Sequence, residues 1–245
     1  MAGAAIALGL FEFYVLAKKL QIKPDTGPGF LAAIAIFVIC LFFSDLSLNL
    51  LLIQGTLIVL TAGVLIAAAL RADAFDKMIA SAGATILGVL YVALLGSHLI
   101  SLRVGFTQTL SAHLLSFFFL VLMGADTGAY YVGRALGKHK LAPSISPGKT
   151  WEGVAGGIVA AAAMATIAHF WFFHEFPLKL AIPLALVMTL VGILGDLTES
   201  ALKRGAGAKD AANILPGHGG ILDRLDSLLF NAPLIYYFAR FYFSS

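Results

Sequence analysis

"SLNLLLIQGTLIVLTAGVLIAAAL", residues 47–70, runs for 24 positions without one charged side chain. An α-helix needs about 20 apolar residues to cross a hydrocarbon core of about 30 Å, and this stretch lacks the period-two alternation of a membrane-barrel strand. Comparable runs occur at about 1–17, 29–43, 78–100, 107–132, 152–174, 179–197 and 227–243. Together they predict an all-α, polytopic integral membrane protein with about eight transmembrane helices.

Composition agrees. The chain is 60% hydrophobic and only 12% charged, with a mean hydropathy of +0.95, whereas a soluble domain carries about 25% charged residues. No internal repeat or low-complexity linker interrupts it, so a single integral domain over 1–245 is expected, with N-terminal helices in 1–100 and the polar chemistry in helices and loops over 107–245. The run at 29–43 is short for a span. The run at 1–17 lacks the basic flank of a signal peptide and encloses Glu12. Cys40 is the sole cysteine, which excludes an internal disulfide or a cysteine metal cluster.

Basic residues set the orientation. Thirteen of the sixteen fall in alternate connections: Lys18, Lys19, Lys23, Arg71, Lys77, Arg134, Lys138, Lys140, Lys149, Lys203, Arg204, Lys209 and Arg224. Only Arg103, Lys179 and Arg240 fall on the other side, so the polar segments 133–151 and 198–226 are expected in the cytoplasm, with both termini outward. The net charge of +3 reports this topology and gives no indication of nucleic acid.

Carboxylates near a bilayer must be paired, hydrated or bound to a cation. Asp45, Asp73, Asp76 and Glu175 read as solvated loop charges, and Asp25 as turn chemistry. The informative ones lie in three stretches. In "LMGADTGAYYVGR", 122–134, Asp126 follows a long apolar run; it reads as a functional intramembrane acid or as a partner of Arg134. In "SISPGKTWEG", 144–153, a nucleotide-binding P-loop fails because Pro143 stands where its first glycine belongs. What remains is a Pro-Gly turn presenting Lys149 and Thr150 ahead of a helix beginning near Trp151 and Glu152. Lys149 suits a phosphate ligand and, equally, a positive-inside anchor.

The third stretch, "GDLTESALKRGAGAKDAANILPGHGGILDRLDS", 195–227, is the densest. Asp196 is expected to end a helix, with Glu199 and Ser200 on its face if the helix continues. Lys203, Arg204, Lys209 and Asp210 follow, then a glycine-broken loop. With a helix starting near Ile221, Gly219 and Gly220 would offer free N–H groups to an anion, and Asp223 and Asp226 would share a face. Two such carboxylates suit Mg²⁺, which fills its other positions with water and phosphate oxygens.

The stretch running Ser200, Leu202, Lys203, Arg204, Lys209, Asp210, Ala212, Leu215, Pro216, His218, Gly219, Gly220, Ile221, Asp223, Arg224 and Asp226 resembles the full signature of the phosphatidate cytidylyltransferases, the CDP-diacylglycerol synthases. "DTGAYYVGR" (126–134), "SPGKTWEG" (146–153), "GDLTES" (195–200) and "FEFYVLAKKLQIKP" (11–24) are similar to further blocks of that family. Gly148 departs from an expected lysine. Relatives commonly carry another hydrophobic segment before the "EFY" block, so this chain is expected to begin late.

The resemblance implies transfer of CMP from CTP to phosphatidate in the cell's inner (cytoplasmic) membrane, with the site on the cytoplasmic side. It implies Asp196, Asp223 and Asp226 as carboxylates for Mg²⁺, with a second, monovalent cation compatible. Lys203, Arg204, Lys209 and Asp126 join the catalytic set. Lys149, Thr150, Ser200, His218, Gly219, Gly220 and Arg224 are the implied substrate-binding residues. Partners are CTP, phosphatidate and the bilayer; the small-residue face "GVAGGIVAAAAMA", 153–165, would also suit a homo-oligomer. The alternatives are a CTP-dependent lipid kinase acting on a prenol-type alcohol and an ion-coupled transporter. The latter should hold its acids at the midplane between inverted repeats, which this sequence does not show.

The charge split generates a test. In a Cys40→Ala background, Lys140→Cys and Ala206→Cys should react with a membrane-impermeant thiol reagent only from the cytoplasmic side, and Glu175→Cys only from outside. Labelling of position 140 from outside sealed cells would overturn the orientation.

Overall fold

Each apolar run falls on a helix in the computed structural model, which describes residues 2–70, 75–208 and 220–243. The helices are α1 (Ala2–Lys19), α2 (Thr26–Phe42), α3 (Leu46–Leu70), α4 (Phe75–Gly88), α5 (Leu95–Val104), α6 (Gln108–Leu136), α7 (Trp151–Trp171), α8 (Leu178–Gly205) and α9 (Leu222–Phe243). A π-helical turn, Val89–Leu94, joins α4 to α5 without a break, so the run predicted at 78–100 is one long helix with a widened centre. Among the described residues five helical stretches are long and apolar enough to cross a membrane: Leu46–Leu70, Asp76–Val104, Gln108–Leu136, Trp151–Trp171 and Leu178–Gly205. The protein is thus an all-α, multi-pass membrane protein. α2, at 17 residues, is apolar but shorter.

The chain forms two compact units, Met1–Gly105 with Leu202–Leu225, and Phe106–Ala201 with Asp226–Ser245. The first is organised around Tyr14. Its ring is buried, its hydroxyl donates to the Thr85 carbonyl at 3.1 Å, and Thr85 Oγ1 accepts from the Asp25 N–H at 2.7 Å. These bonds tie α1, the entry to α2 and α4 together, and they matter because an unsatisfied polar group in hydrocarbon costs several kcal/mol. Phe30 meets the Tyr14 ring edge-on at 5.9 Å.

In the second unit α6 and α7 pack through small residues. A Cβ on Gly156 would lie 2.5 Å from the Val132 Cβ and 2.9 Å from the Gly128 carbonyl oxygen, so only glycine permits this approach. The end of the unit holding the start of α6 and the ends of α7 and α9 is aromatic. Phe173 and Phe176 are buried there, with Phe117 and Phe243 at ring distances of 5.3 to 6.3 Å.

The structure departs from the sequence reading at 140–150. Two short antiparallel strands, β1 (Lys140–Ala142) and β2 (Ser146–Thr150), pair Lys140 with Thr150 and Ala142 with Ser146. The turn is at residues 143–145, where the Ile145 N–H reaches the Ala142 carbonyl at 3.2 Å. The predicted Pro147-Gly148 turn therefore lies inside β2. A two-stranded ribbon consists only of edges, and an edge accommodates a residue that has no N–H to give.

The α6–α7 contact predicts opposite effects of one substitution at two sites. Gly156→Ala should lower the thermal midpoint in detergent by roughly 2–10 °C, from an overpacking cost of about 1–3 kcal/mol. Gly63→Ala in α3, where an added Cβ meets nothing within 4 Å, should hold or raise it through helix propensity.

Candidate functional site

The second unit collects its charges at the end opposite the aromatic cluster. α6 turns Asp126, Tyr130, Gly133 and Arg134 toward a cleft of about 630 Å³ that Lys149 of β2 and Asp196 of α8 also line. Spacings of three and four residues put the α6 set on one face. β2 ends at Thr150, whose buried hydroxyl accepts from the Gly153 N–H at 3.1 Å and caps α7. His139, just before β1, closes the ribbon: its ring nitrogen lies 2.6 Å from Glu152, and its carbonyl accepts from the Trp151 N–H at 3.0 Å. This rigid corner fixes Lys149.

Lys149 Nζ lies 2.6 Å from Asp196 Oδ2, and Ser200 donates its hydroxyl to Asp196 Oδ1 at 3.2 Å. Asp196 does not end its helix as the sequence reading expected; α8 continues to Gly205, which puts Ser200 one turn on and on the same face. The apolar run stops there only because polar residues begin, while the backbone continues to satisfy its own hydrogen bonds. Glu199, also expected on that face, is fully buried. At Gly195 a Cβ would lie 2.6 Å from the Asp226 carbonyl, so α8 and α9 approach closely at the acids. Asp226 is within electrostatic range of Asp196 and Asp126, and Asp126 of Asp196 and Lys149. Three carboxylates thus share the field of one lysine.

The first unit holds a separate charge cluster. α8 ends in a left-handed glycine, Gly207 (φ 62°), with the Ala208 N–H bonded to the Lys203 carbonyl at 2.9 Å and the Gly207 N–H to that of Arg204 at 3.0 Å. Lys203 Nζ lies 2.8 Å from Asp223 Oδ1, both side chains being only 14% exposed, so the pair is shielded from solvent. Asp223 Oδ2 accepts from the Gly220 N–H at 2.8 Å. Arg204 and Arg224 are exposed on the last turn of α8 and the first of α9. Lys209, Asp210, His218 and Gly219 lie outside the described residues.

Gly219 and Gly220 were expected to offer free N–H groups to an anion at the start of α9. Gly219 lies outside the described residues, the Gly220 N–H donates to Asp223, and the next two N–H groups, of Ile221 and Leu222, donate to Glu12 Oε1 and Oε2 at 2.9 and 2.7 Å. The anion at this helix start is a side chain of the protein, fully buried and supplied by α1. Sequence reasoning noticed Glu12 only as an oddity. Its signal was present, since a carboxylate inside an apolar run requires a partner, but the partner is two backbone amides and no residue type encodes them. Arg134, whose Nη1 donates to the Tyr130 hydroxyl at 2.9 Å, also lines the cleft; the sequence reading has it as a cytoplasmic-side basic residue and a partner of Asp126.

A sequence profile of the cytidylyltransferase family matches residues 1–242. The chain belongs to the cytidylyltransferase family. It is 36% identical to a phosphatidate cytidylyltransferase of Bacillus subtilis (strain 168), across 94% of this chain and 85% of the relative. A relative of the same name from Staphylococcus haemolyticus (strain JCSC1435) is also 36% identical, across 94% and 86%. One from Haemophilus influenzae is 46% identical over 134 residues, 53% of this chain and 46% of the relative. Members of the cytidylyltransferase family must manage the dense charge of a nucleoside triphosphate, and both clusters combine carboxylates with lysines.

Among the described residues no three acid, histidine or cysteine side chains converge tightly enough to enclose a metal alone. Mg²⁺ takes one or two carboxylates and leaves its other positions to water and phosphate oxygens. Asp196 and Asp226, one on each of two closely approaching helices, have the donor chemistry for it.

Lys149→Met should therefore cut the initial rate of CMP transfer at least 100-fold, because it removes the cation from three carboxylates. Helix content and monodispersity should be retained. Asp196→Asn should cost as much, and near-wild-type rates in either variant would remove that residue from the site.

Proposed function

We propose that the protein transfers CMP from CTP to phosphatidate, forming CDP-diacylglycerol and pyrophosphate on the cytoplasmic face of a bacterial cytoplasmic membrane. The observation that carries this reading is the Lys149–Asp196 pair, 2.6 Å long, lining a cleft with Asp126. A lysine held by a carboxylate is a phosphate-binding group already in place, and the cleft lies at one end of apolar helices, where a lipid headgroup can arrive laterally. Family membership over residues 1–242 and the names of the relatives give the same reaction.

In the reaction a phosphatidate oxygen attacks the α-phosphorus of CTP and pyrophosphate leaves in line, with no covalent enzyme intermediate. The residues bind and neutralise more than they move protons. Lys149 and, in the first unit, Lys203 hold phosphate oxygens; Arg204 and Arg224, exposed at their helix ends, add longer-range attraction. Ser200 orients Asp196 by donating to it. Mg²⁺, when bound by Asp196 and Asp226, would neutralise charge developing on the pyrophosphate. Asp223, in the first unit, is a further metal carboxylate that the resemblance assigns.

The thirteen-to-three distribution of basic residues supports the cytoplasmic placement of 133–151 and 198–226, and with α1, α2 and α9 counted as spans the crossings number eight.

Two labels test the chemistry. With phosphatidate, Mg²⁺ and α-labelled CTP, the purified protein should produce an organic-extractable labelled lipid; with γ-labelled CTP, label should appear only in pyrophosphate. Excess chelator should stop both. Transfer of γ-label to an added alcohol, without α-label transfer, would establish a kinase instead.

A further inference from the structure

Glu12 has no part in the chemistry proposed above, yet it is a fully buried carboxylate whose two oxygens both engage the start of the helix that carries Asp223. Its bonds span 209 and 210 positions of sequence, from α1 to Ile221 and Leu222. An ordinary helix cap comes from the residue beside the helix, and a suitable one is available: Asp223, in the first turn of α9. An aspartate there is drawn to the free N–H groups around it, because both the hydrogen bonds and the helix dipole favour it.

The structure divides the work. Glu12 takes the Ile221 and Leu222 N–H groups, while Asp223 accepts from the Gly220 N–H at 2.8 Å and turns Oδ1 to Lys203 at 2.8 Å. Gly220 is shaped to this arrangement, since a Cβ there would lie 2.6 Å from Glu12 Oε2. Gly9, one turn before Glu12 on α1, faces the same helix: a Cβ there would be in ordinary contact with Leu225 at 3.4 Å and Leu222 at 3.9 Å.

We propose that Glu12 is a positioning residue for CMP transfer: by satisfying the opening N–H groups of α9 it prevents Asp223 from capping them and keeps that carboxylate turned toward Lys203. The proposal rests on the assignment of Asp223 to the reaction. Glu12 acts through Asp223 and touches no substrate. A glutamine at 12 would keep one acceptor but set an NH₂ donor against the second N–H, leaving that group for Asp223 to take.

The test uses the full-length protein in lipid nanodiscs, with Glu12→Gln and Gly220→Ala as two independent disturbances of the same contact. The second keeps the charge and decides the matter if the first fails to fold. Two quantities are read: the Mg²⁺ concentration giving half-maximal rate, and amide hydrogen exchange at 220–222 followed by mass spectrometry. Both variants should raise the half-saturating Mg²⁺ at least fivefold and speed exchange at 220–222 at least tenfold, with α2 and α3 unchanged. A merely structural role would lower the active fraction and speed exchange throughout the first unit without moving the half-saturating concentration, and that result would overturn the proposal. So would faster exchange confined to 220–222 with an unchanged Mg²⁺ titration, or no change in exchange. Asp223→Asn, measured alongside, separates the two levels. If it is inactive while the Glu12 and Gly220 variants titrate normally, the positioning role alone is lost. If it keeps the wild-type rate, the assignment of Asp223 fails and the role of Glu12 fails with it.

Discussion

A carboxylate buried in an apolar helix bundle must be compensated, and this requirement organises the protein more than any apolar contact does. Removing an ion from water costs several kcal/mol even after the surroundings relax. Glu12 meets that cost with two charged hydrogen bonds, worth about 1.5–3 kcal/mol each, and the favourable field of the α9 N-terminus, worth up to about 2 kcal/mol. Asp223 meets it with Lys203, and the more open Asp196 is paired with Lys149. Each acid therefore dictates where another element must go: Glu12 places the start of α9, Asp223 the end of α8, and Asp196 the ribbon that carries Lys149.

Packing supplies the stiffness that such placement needs. Between α6 and α7 the backbones approach at Gly128 and Gly156, and between α8 and α9 at Gly195, so the positions of Asp126, Asp196 and Asp226 follow from backbone contact and not from long flexible side chains. Van der Waals contact between small residues is the main source of helix association where lipid tails are as apolar as leucine. The aromatic cluster around Phe173 and Phe176 fixes the other end of the second unit, leaving the cleft end free to be polar.

Helices were legible in the sequence because hydropathy reports burial in lipid directly; their ends were not, because a helix continues through polar residues as long as its own hydrogen bonds are met. That is why α8 outruns the apolar run at 179–197 by eight residues, ending at Gly205. Asp126, Lys149, Asp196 and Ser200 were recognisable as chemistry, and the structure brings them to one region of the second unit. The Lys203–Asp223 pair is separated by 20 positions, and residue types alone gave no reason to join it. The ribbon at 140–150 escaped notice since three- and five-residue strands leave no periodic signal and the Pro-Gly pair imitates a turn. Glu12 was visible as an anomaly, but its partners are main-chain groups that carry no signature.

The Lys149–Asp196 and Lys203–Asp223 pairs both place the lysine where regular structure stops: Lys149 next to the last residue of β2, and Lys203 in the last turn of α8 beside the Gly207 cap. A bilayer permits irregular backbone only where protein or water can satisfy it, so strand ends, caps and ribbons are confined to the ends of spanning helices. Groups that must meet phosphate have the same requirement, because they need N–H donors, mobile cations and access from water together. Lysine suits these positions better than arginine: its ammonium is a point charge on a flexible stem with three rotatable donors, able to turn from a carboxylate to a phosphate without losing a planar two-pronged contact. The chemistry sits at helix ends for the same physical reason that the helices themselves are long and uninterrupted.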